Sequence, residues 1–155
     1  MDDSVYNIAL AITSNLKSPL FTAQTSEMKN INYSLENSTS FIYKNSKITT
    51  SLLGKHQINN IATVLKIIEV LRKKLNISKK AIVNGLEKTY IPCRFEILSR
   101  SPLIILDAAH NPAGAETLVS SIQTYLNGKN LIGIIGVFKD KDTIGIISKT
   151  APLFS

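Results

Sequence analysis

The spacing of apolar residues changes several times along the first half of the chain. Apolar residues cluster in residues 5–16, which predicts a short helix, and residues 19–22 are predicted to form a strand. Short β-prone runs follow between Ile31 and Leu53 and predict antiparallel strands, with residues 44–47 as a hairpin turn. The first fifty residues therefore combine one helix with a small sheet.

After Gly54 the apolar period becomes three or four residues, which is the period of a helix. The expected buried face of this long helix consists of Ile58, Ile61, Val64, Leu65, Ile68, Leu71 and Leu75. A second helix is predicted to begin with Ser78 as its N-cap and to end before Pro92. Its inward residues are expected to be Ala81, Ile82 and Leu86.

Beyond Pro92 the predicted order is strand, strand, helix, strand, helix. The segments are residues 94–99, 103–106, 112–126, 131–137 and 142–150. This alternation favours parallel α/β structure, and the wholly apolar runs in the second and third strands are typical of strands buried on both faces. A domain boundary is expected at residues 90–92, which divides the chain into residues 1–91 and 92–155.

Composition and charge narrow the classes of function. The net charge of +7 favours anionic partners, but the absence of Trp and the few aromatic residues disfavour a nucleic-acid binder. One cysteine and two histidines provide neither an internal disulfide nor a metal-ligand cluster of known spacing. The acidic start, Met1 to Ser4, and the lack of a long apolar run predict a cytoplasmic protein without a membrane span.

The segment from Asp107 to Pro112 has the pattern of a ligand site. It follows an apolar strand and leads into a helix that has proline at its first position, so Asn111 is the expected N-cap. Ligands of α/β sheets bind at this edge, where Asp107 suits ribose hydroxyls and His110 suits a base or a phosphate. The alternative is that Asp107 caps a turn and His110 packs against the next helix.

Two further segments carry candidate residues. Gly54 can form a sharp turn before the long helix, and Asn60, one turn inside, can pair with an adenine edge. His56 and Gln57 are interpreted as capping residues. Arg94 can reach a phosphate in a cleft between the two domains, although an ordinary surface arginine is the alternative.

These three segments, in this order and spacing, resemble the folylpolyglutamate synthase and dihydrofolate synthase family of Mur-type ligases. The matching stretches are Leu53–Gln57 with Asn60 and Ala62, Pro92–Glu96, and Asp107–Pro112, and residues 140–142 resemble a further stretch. The resemblance implies an α/β fold: residues 1–91 would end a Mur-ligase central domain, and residues 92–155 would form an incomplete Rossmann-like C-terminal domain with a parallel sheet.

The resemblance also implies a function and site residues. Members use ATP and Mg²⁺ to form an acyl phosphate, which L-glutamate then attacks to extend a folate, and a monomer is expected. Asn60 would hold the adenine, Arg94 the phosphates and Asp107 the ribose, with His110 close to the nucleotide. No catalytic residue and no metal ligand is assigned within this chain. Another Mur-type amino-acid ligase, or a non-catalytic nucleotide-binding module, is the alternative function.

The sequence departs from the family at several positions. Cys93 and Ala108 replace glycines and Ile61 replaces a small residue, changes that we expect to narrow the cleft. The family's glycine-rich phosphate loop is not present in the sequence. In the family, the magnesium ligands and most of the folate site precede the matched region, and the glutamate site draws on residues beyond it. The chain is therefore expected to be a fragment without ligase turnover.

Overall fold

The computed structural model describes residues 3–36, 38–72 and 74–154, so Met1 and Asp2 of the acidic start lie outside the described residues. The helices are α1 (Asp3–Asn15), α2 (Lys55–Leu71), α3 (Lys79–Lys88), α4 (Pro112–Tyr125) and α5 (Thr143–Thr150). The strands are β1 (Met28–Asn32), β2 (Thr39–Tyr43), β3 (Ser46–Thr50), β4 (Glu96–Arg100) and β5 (Leu103–Leu106). Two 3₁₀ turns occupy Thr25–Glu27 and Ala151–Leu153.

The first sheet is an antiparallel meander in the order β1-β2-β3, as the alternating runs predicted. Lys44 and Asn45 both have positive φ, at 46° and 62°, and connect the paired residues Tyr43 and Ser46. Two consecutive left-handed residues are the geometry of a two-residue hairpin turn that matches the twist of the strands. The hairpin is therefore confirmed, with a tighter turn than predicted.

The predicted strand at residues 19–22 is wrong, because this segment joins none of the described ladders. Pro19 lacks the backbone N–H that a ladder needs. The β propensity of Phe21 and Thr22 has effect only where a partner strand is available.

Helices α2 and α3 contribute to a core beside the first sheet. Its buried residues are Met28, Phe41, Tyr43, Ile48, Ile58, Ile61, Ala62, Leu65 and Leu86. The long helix and the Ser78 cap are confirmed, the latter by a hydrogen bond from the Ala81 N–H to the Ser78 side chain. The predicted apolar face of α2 was too wide, since Val64 and Leu71 are exposed and Leu75 lies beyond the end of the helix. In α3, Ala81 was predicted to face inward but is exposed. The sheet covers only the stripe through Ile58, Ile61 and Leu65.

The second half does not pair as predicted. Strands β4 and β5 form an antiparallel ladder, because only residues 101–102 connect them and parallel strands need a crossover of about a dozen residues. Residues 131–137 form none of the described strands, and a cavity of about 950 Å³ lies between β5 and this segment. The prediction that residues 103–106 and 131–137 are buried on both faces is also wrong, since Ile104 is 47% exposed and Ile134 is 99% exposed. The mixed α/β class is confirmed.

A second core crosses the predicted domain boundary. Leu53 packs with Phe95 and with Ile122 and Leu126 of α4. In addition, the Gly54 N–H donates to the Tyr125 hydroxyl at 2.9 Å. Residues 1–91 and 92–155 therefore share buried contacts, and the domain boundary stays a prediction. Among the described helices, none combines the length and apolar character that a membrane crossing requires.

Candidate nucleotide site

Arg94 is carried by a loop with an unusual backbone. The residues on either side of it, Cys93 and Phe95, both have positive φ, at 58° and 49°. A left-handed conformation costs a residue with a side chain about 1–2 kcal/mol, so neighbouring contacts must hold this loop. Phe95 supplies one of them, because its ring is 2% exposed and lies 5.6 Å from the Tyr125 ring. Arg94 itself is exposed.

Asp107 ties the Arg94 loop to the start of α4. One carboxylate oxygen, Oδ2, accepts the Phe95 N–H at 2.8 Å, and the other, Oδ1, accepts the Ala109 N–H at 2.8 Å. The Ala108 N–H also donates to the Cys93 carbonyl at 2.8 Å. Two hydrogen bonds, from Phe95 to Asp107 and from Ala108 to Cys93, thus join the Arg94 loop to the Asp107 segment, and the bond from Ala109 fixes the Asp107 carboxylate within its own segment.

The segment that follows Asp107 folds as its sequence predicts. The Asn111 side chain accepts the Gly114 N–H at 2.7 Å, and Pro112 is the first residue of α4, which confirms Asn111 as the N-cap. The His110 ring is exposed, and its Nδ1 lies 2.9 Å from the Ala108 carbonyl. His110 is therefore accessible to a ligand at the positive end of α4 rather than packed against the next helix.

Gly54 brings the start of α2 to the same place. Its φ is 108°, and a Cβ at this position would lie 2.6 Å from Cε1 of His56 and 3.0 Å from the Ser121 hydroxyl. The sharp turn expected of Gly54 is confirmed, and the atoms closest to it belong to the side chains of His56 and Ser121. The cap of α2 is Gly54 itself, without a side-chain hydrogen bond, so the interpretation of His56 and Gln57 as capping residues is wrong.

His56 belongs to the charged group around the Arg94 loop. Burial lowers its pKa from the usual value of 6.5, while the Asp107 charge raises the pKa and the Arg94 charge lowers it. The imidazole is thus close enough to both residues to sense their charges. The sequence analysis did not assign His56 to the site. Its position two residues after the Gly54 turn is the sequence feature that could have placed it there.

Asn60 lies further along α2, exposed to solvent. Its side-chain Nδ2 donates to Oε1 of Gln57 at 3.0 Å, and Gln57 is buried. The hydrogen bond orients the amide and leaves its carbonyl oxygen without a hydrogen-bond partner among the described residues. No hydrogen bond links Asn60 to Arg94, Asp107 or His110 within the described part of the chain.

The departures from the family pattern differ in consequence. Cys93 has positive φ, so its side chain bears the strain that glycine would avoid. Ala108 is not among the residues with positive φ, which makes its methyl group a modest change. Ile61 is 2% exposed in the first core and does not narrow a cleft, so that expectation is wrong.

Residues 140–142 serve the start of α5. Oδ1 of Asp142 accepts the Gly145 N–H at 2.8 Å, and Lys141 pairs with Asp140 at 2.7 Å. Within residues 3–36, 38–72 and 74–154, no group of three or more His, Cys, Asp or Glu side chains is arranged to hold a metal ion.

Comparison with known proteins gives a consistent family. Residues 93–154 match the family model of the Mur ligase, glutamate ligase domain. The chain is 31% identical over 112 residues to the dihydrofolate synthase/folylpolyglutamate synthase of Mycobacterium tuberculosis, covering 70% of this chain and 23% of that protein. The folylpolyglutamate synthase of Lacticaseibacillus casei is 30% identical, and the match covers 71% of this chain and 26% of that protein.

The fold agrees with solved structures of the same enzymes. Folylpolyglutamate synthase of M. tuberculosis complexed with ADP superposes with a TM-score of 0.82 at 26% identity, covering 97% of this chain and 34% of that one. The folylpolyglutamate synthase of Thermotoga maritima gives a TM-score of 0.75 at 29% identity. The chain thus spans roughly a quarter of the length of the curated relatives, 23% of the first. These matches place the chain in the Mur ligase family, in its folylpolyglutamate synthase and dihydrofolate synthase branch.

Proposed function

We propose that this chain supplies the adenosine side of the ATP site of a ligase that adds L-glutamate to folates. The observation that carries the proposal is the joining of the Arg94 loop to the segment from Asp107 to His110 by two hydrogen bonds just before the start of α4. There the loop that carries Arg94, the Asp107 carboxylate and the positive end of α4 come together, which suits a nucleotide. A similar structure is that of an enzyme complexed with ADP, which supports the choice of nucleotide.

Each proposed contact has a physical reason. The Asp107 oxygens keep acceptor capacity for ribose hydroxyls after binding two N–H groups, and His110 offers an exposed ring beside them. Arg94 would contact the phosphates, and the oriented amide of Asn60 would pair with the adenine edge. These are binding roles, because phosphoryl transfer depends on positioning and charge stabilisation more than on covalent help from side chains.

In the whole enzyme the proposed reaction has two steps. The γ-phosphoryl group of ATP moves to a carboxylate of the folate, and ADP leaves. The amino group of L-glutamate then attacks the acyl phosphate, which forms the amide and releases phosphate. Mg²⁺ would neutralise the phosphates, and the described residues do not provide its ligands. Absence of ligase turnover by this chain alone stays a prediction, as do the monomeric state and the cytoplasmic location.

The test is a titration of the purified chain with ADP. Binding is measured by isothermal titration calorimetry or by NMR chemical-shift changes, which detect affinities as weak as millimolar. We expect saturable binding, weakened in His110→Ala and in Asn60→Ala. Asn84→Ala is the matched control, since Asn84 is also exposed on a helix but lies on α3. A folded chain that shows no ADP binding, or that binds equally in all three variants, would contradict the proposal.

An Asp107→Ala variant would remove the proposed ribose contact and a structural support together. The change removes the acceptors of both the Phe95 and the Ala109 N–H groups, so the Arg94 loop loses a support at the same time. Each unpaired backbone N–H costs on the order of 1–3 kcal/mol if it stays buried. Binding lost in this variant therefore counts only if circular dichroism and urea unfolding show that the fold is kept.

A further inference from the structure

A carboxylate outside the four proposed nucleotide contacts closes the Arg94 loop. Oε2 of Glu96 accepts the Cys93 N–H at 2.8 Å, and Oε1 accepts the Tyr90 hydroxyl at 2.5 Å. One side chain thereby joins the beginning, the middle and the end of the loop from Tyr90 to Glu96. These hydrogen bonds also lower the pKa of Glu96, the bond from Cys93 more than that from Tyr90, so the group is an ionised acceptor at neutral pH.

The two left-handed residues beside Arg94 are held in the same way. The N–H of Cys93 is bound by Glu96, and the N–H of Phe95 is bound by Asp107. A left-handed residue that is not glycine tends to return to the ordinary backbone regions unless its surroundings prevent it. Phe95 is additionally fixed by the burial of its ring, whereas Cys93 depends on Glu96 and on the hydrogen bond from Ala108.

The direction of the Arg94 side chain depends on both neighbours. The Phe95 N–H is held by Asp107. If the Cys93 backbone rotated out of the left-handed region, the chain between Cys93 and Phe95 would change direction. Arg94 lies in this stretch, and its long side chain enlarges a small backbone rotation into a large movement of the guanidinium. A carboxylate that does not touch the ligand can therefore influence where the guanidinium lies, through the backbone of Cys93.

We propose that Glu96, held by the Tyr90 hydroxyl, is a positioning residue that fixes Arg94 for the phosphates of a bound nucleoside diphosphate or triphosphate. The inference rests on the proposed function, because it assigns Glu96 a role only through a nucleotide contact of Arg94. It differs from a purely structural role in one respect: the effect of Glu96 on nucleotide affinity must pass through the Arg94 side chain.

The test is a double-mutant cycle on the full chain with ADP and Mg²⁺, using NMR titration. Glu96→Gln is expected to weaken ADP binding about three- to tenfold, because a charge-assisted hydrogen bond is replaced by a weaker one. In an Arg94→Ala background the same change should alter affinity by less than about twofold, which is the usual error of additivity. Tyr90→Phe should act in the same direction, and Glu87→Gln on α3, which removes the same charge from an exposed glutamate outside the Arg94 loop, is the matched control.

The outcomes separate this inference from the proposed function. Equal weakening by Glu96→Gln with and without the Arg94 side chain would show a structural role and would overturn the inference alone. Unchanged affinity in both Glu96→Gln and Tyr90→Phe, with an unchanged control, would also overturn it alone. Failure of the folded parent to bind ADP would overturn the proposed function, and the positioning role with it.

Discussion

Replacement of Gly54 by alanine should destabilise the fold where the two halves of the chain meet. Gly54 has φ 108° and ψ 141°, a region that is essentially restricted to glycine and costs other residues about 1–3 kcal/mol. The added Cβ would lie 2.6 Å from the His56 ring, so the imidazole must also rotate, at about 0.5–1.5 kcal/mol. Together these effects predict a loss of about 1.5–4.5 kcal/mol in the free energy of unfolding.

Urea unfolding followed by circular dichroism measures this loss, and Gly85→Ala is the matched control. Gly85 lies within α3, and a Cβ there would meet no atom within 4 Å. Alanine is the better helix former, so Gly85→Ala should increase the free energy of unfolding by about 0.5–1 kcal/mol. The reasoning is refuted if Gly54→Ala unfolds at the same urea concentration as the parent, or if both variants shift in the same direction.

Three further predictions concern stability. Burial lowers the pKa of His56 in the folded chain below 6.5, so the unfolded chain takes up a proton first as the pH falls through 6.5. The free energy of unfolding should therefore decrease as the pH falls through this range. Urea unfolding at a series of pH values measures the decrease, and His56→Gln should remove it. Cys93→Gly should stabilise the chain by up to about 1 kcal/mol, since the relief of a left-handed residue exceeds the entropy cost of glycine, and a clear loss would contradict the role given to its φ. Ile61→Ala should cost about 2–4 kcal/mol and the exposed Ile67→Ala far less, whereas equal effects would argue against a core position for Ile61.

Local signals in the sequence predicted the elements well. The period of the apolar residues located α2, and the Ser78 and Asn111 caps located the starts of α3 and α4. Such signals act over a few residues, so they are readable without knowledge of the fold. The family pattern likewise identified the segments around Arg94 and Asp107, which the structure joins.

Pairing and burial were predicted less well, because they depend on partners that are distant in sequence. Apolar character in residues 131–135 indicates a strand, but a strand forms only where a neighbouring edge accepts its hydrogen bonds. The connection between the two strands, three residues in the predicted bounds and two in the structure, is too short for parallel pairing. The left-handed conformations of Cys93 and Phe95 carried no local signal, since neither residue type favours them.

The two interpretations of Asp107, as a turn cap and as a ribose ligand, are physically compatible. A carboxylate has about four acceptor positions, and the hydrogen bonds from Phe95 and Ala109 use two of them, one on each oxygen. Those same bonds fix the plane of the carboxylate before a ligand arrives, so less conformational freedom is lost on binding. A residue that holds the Arg94 loop in place is therefore well suited to hold the ribose, since both groups would contact the same nucleotide.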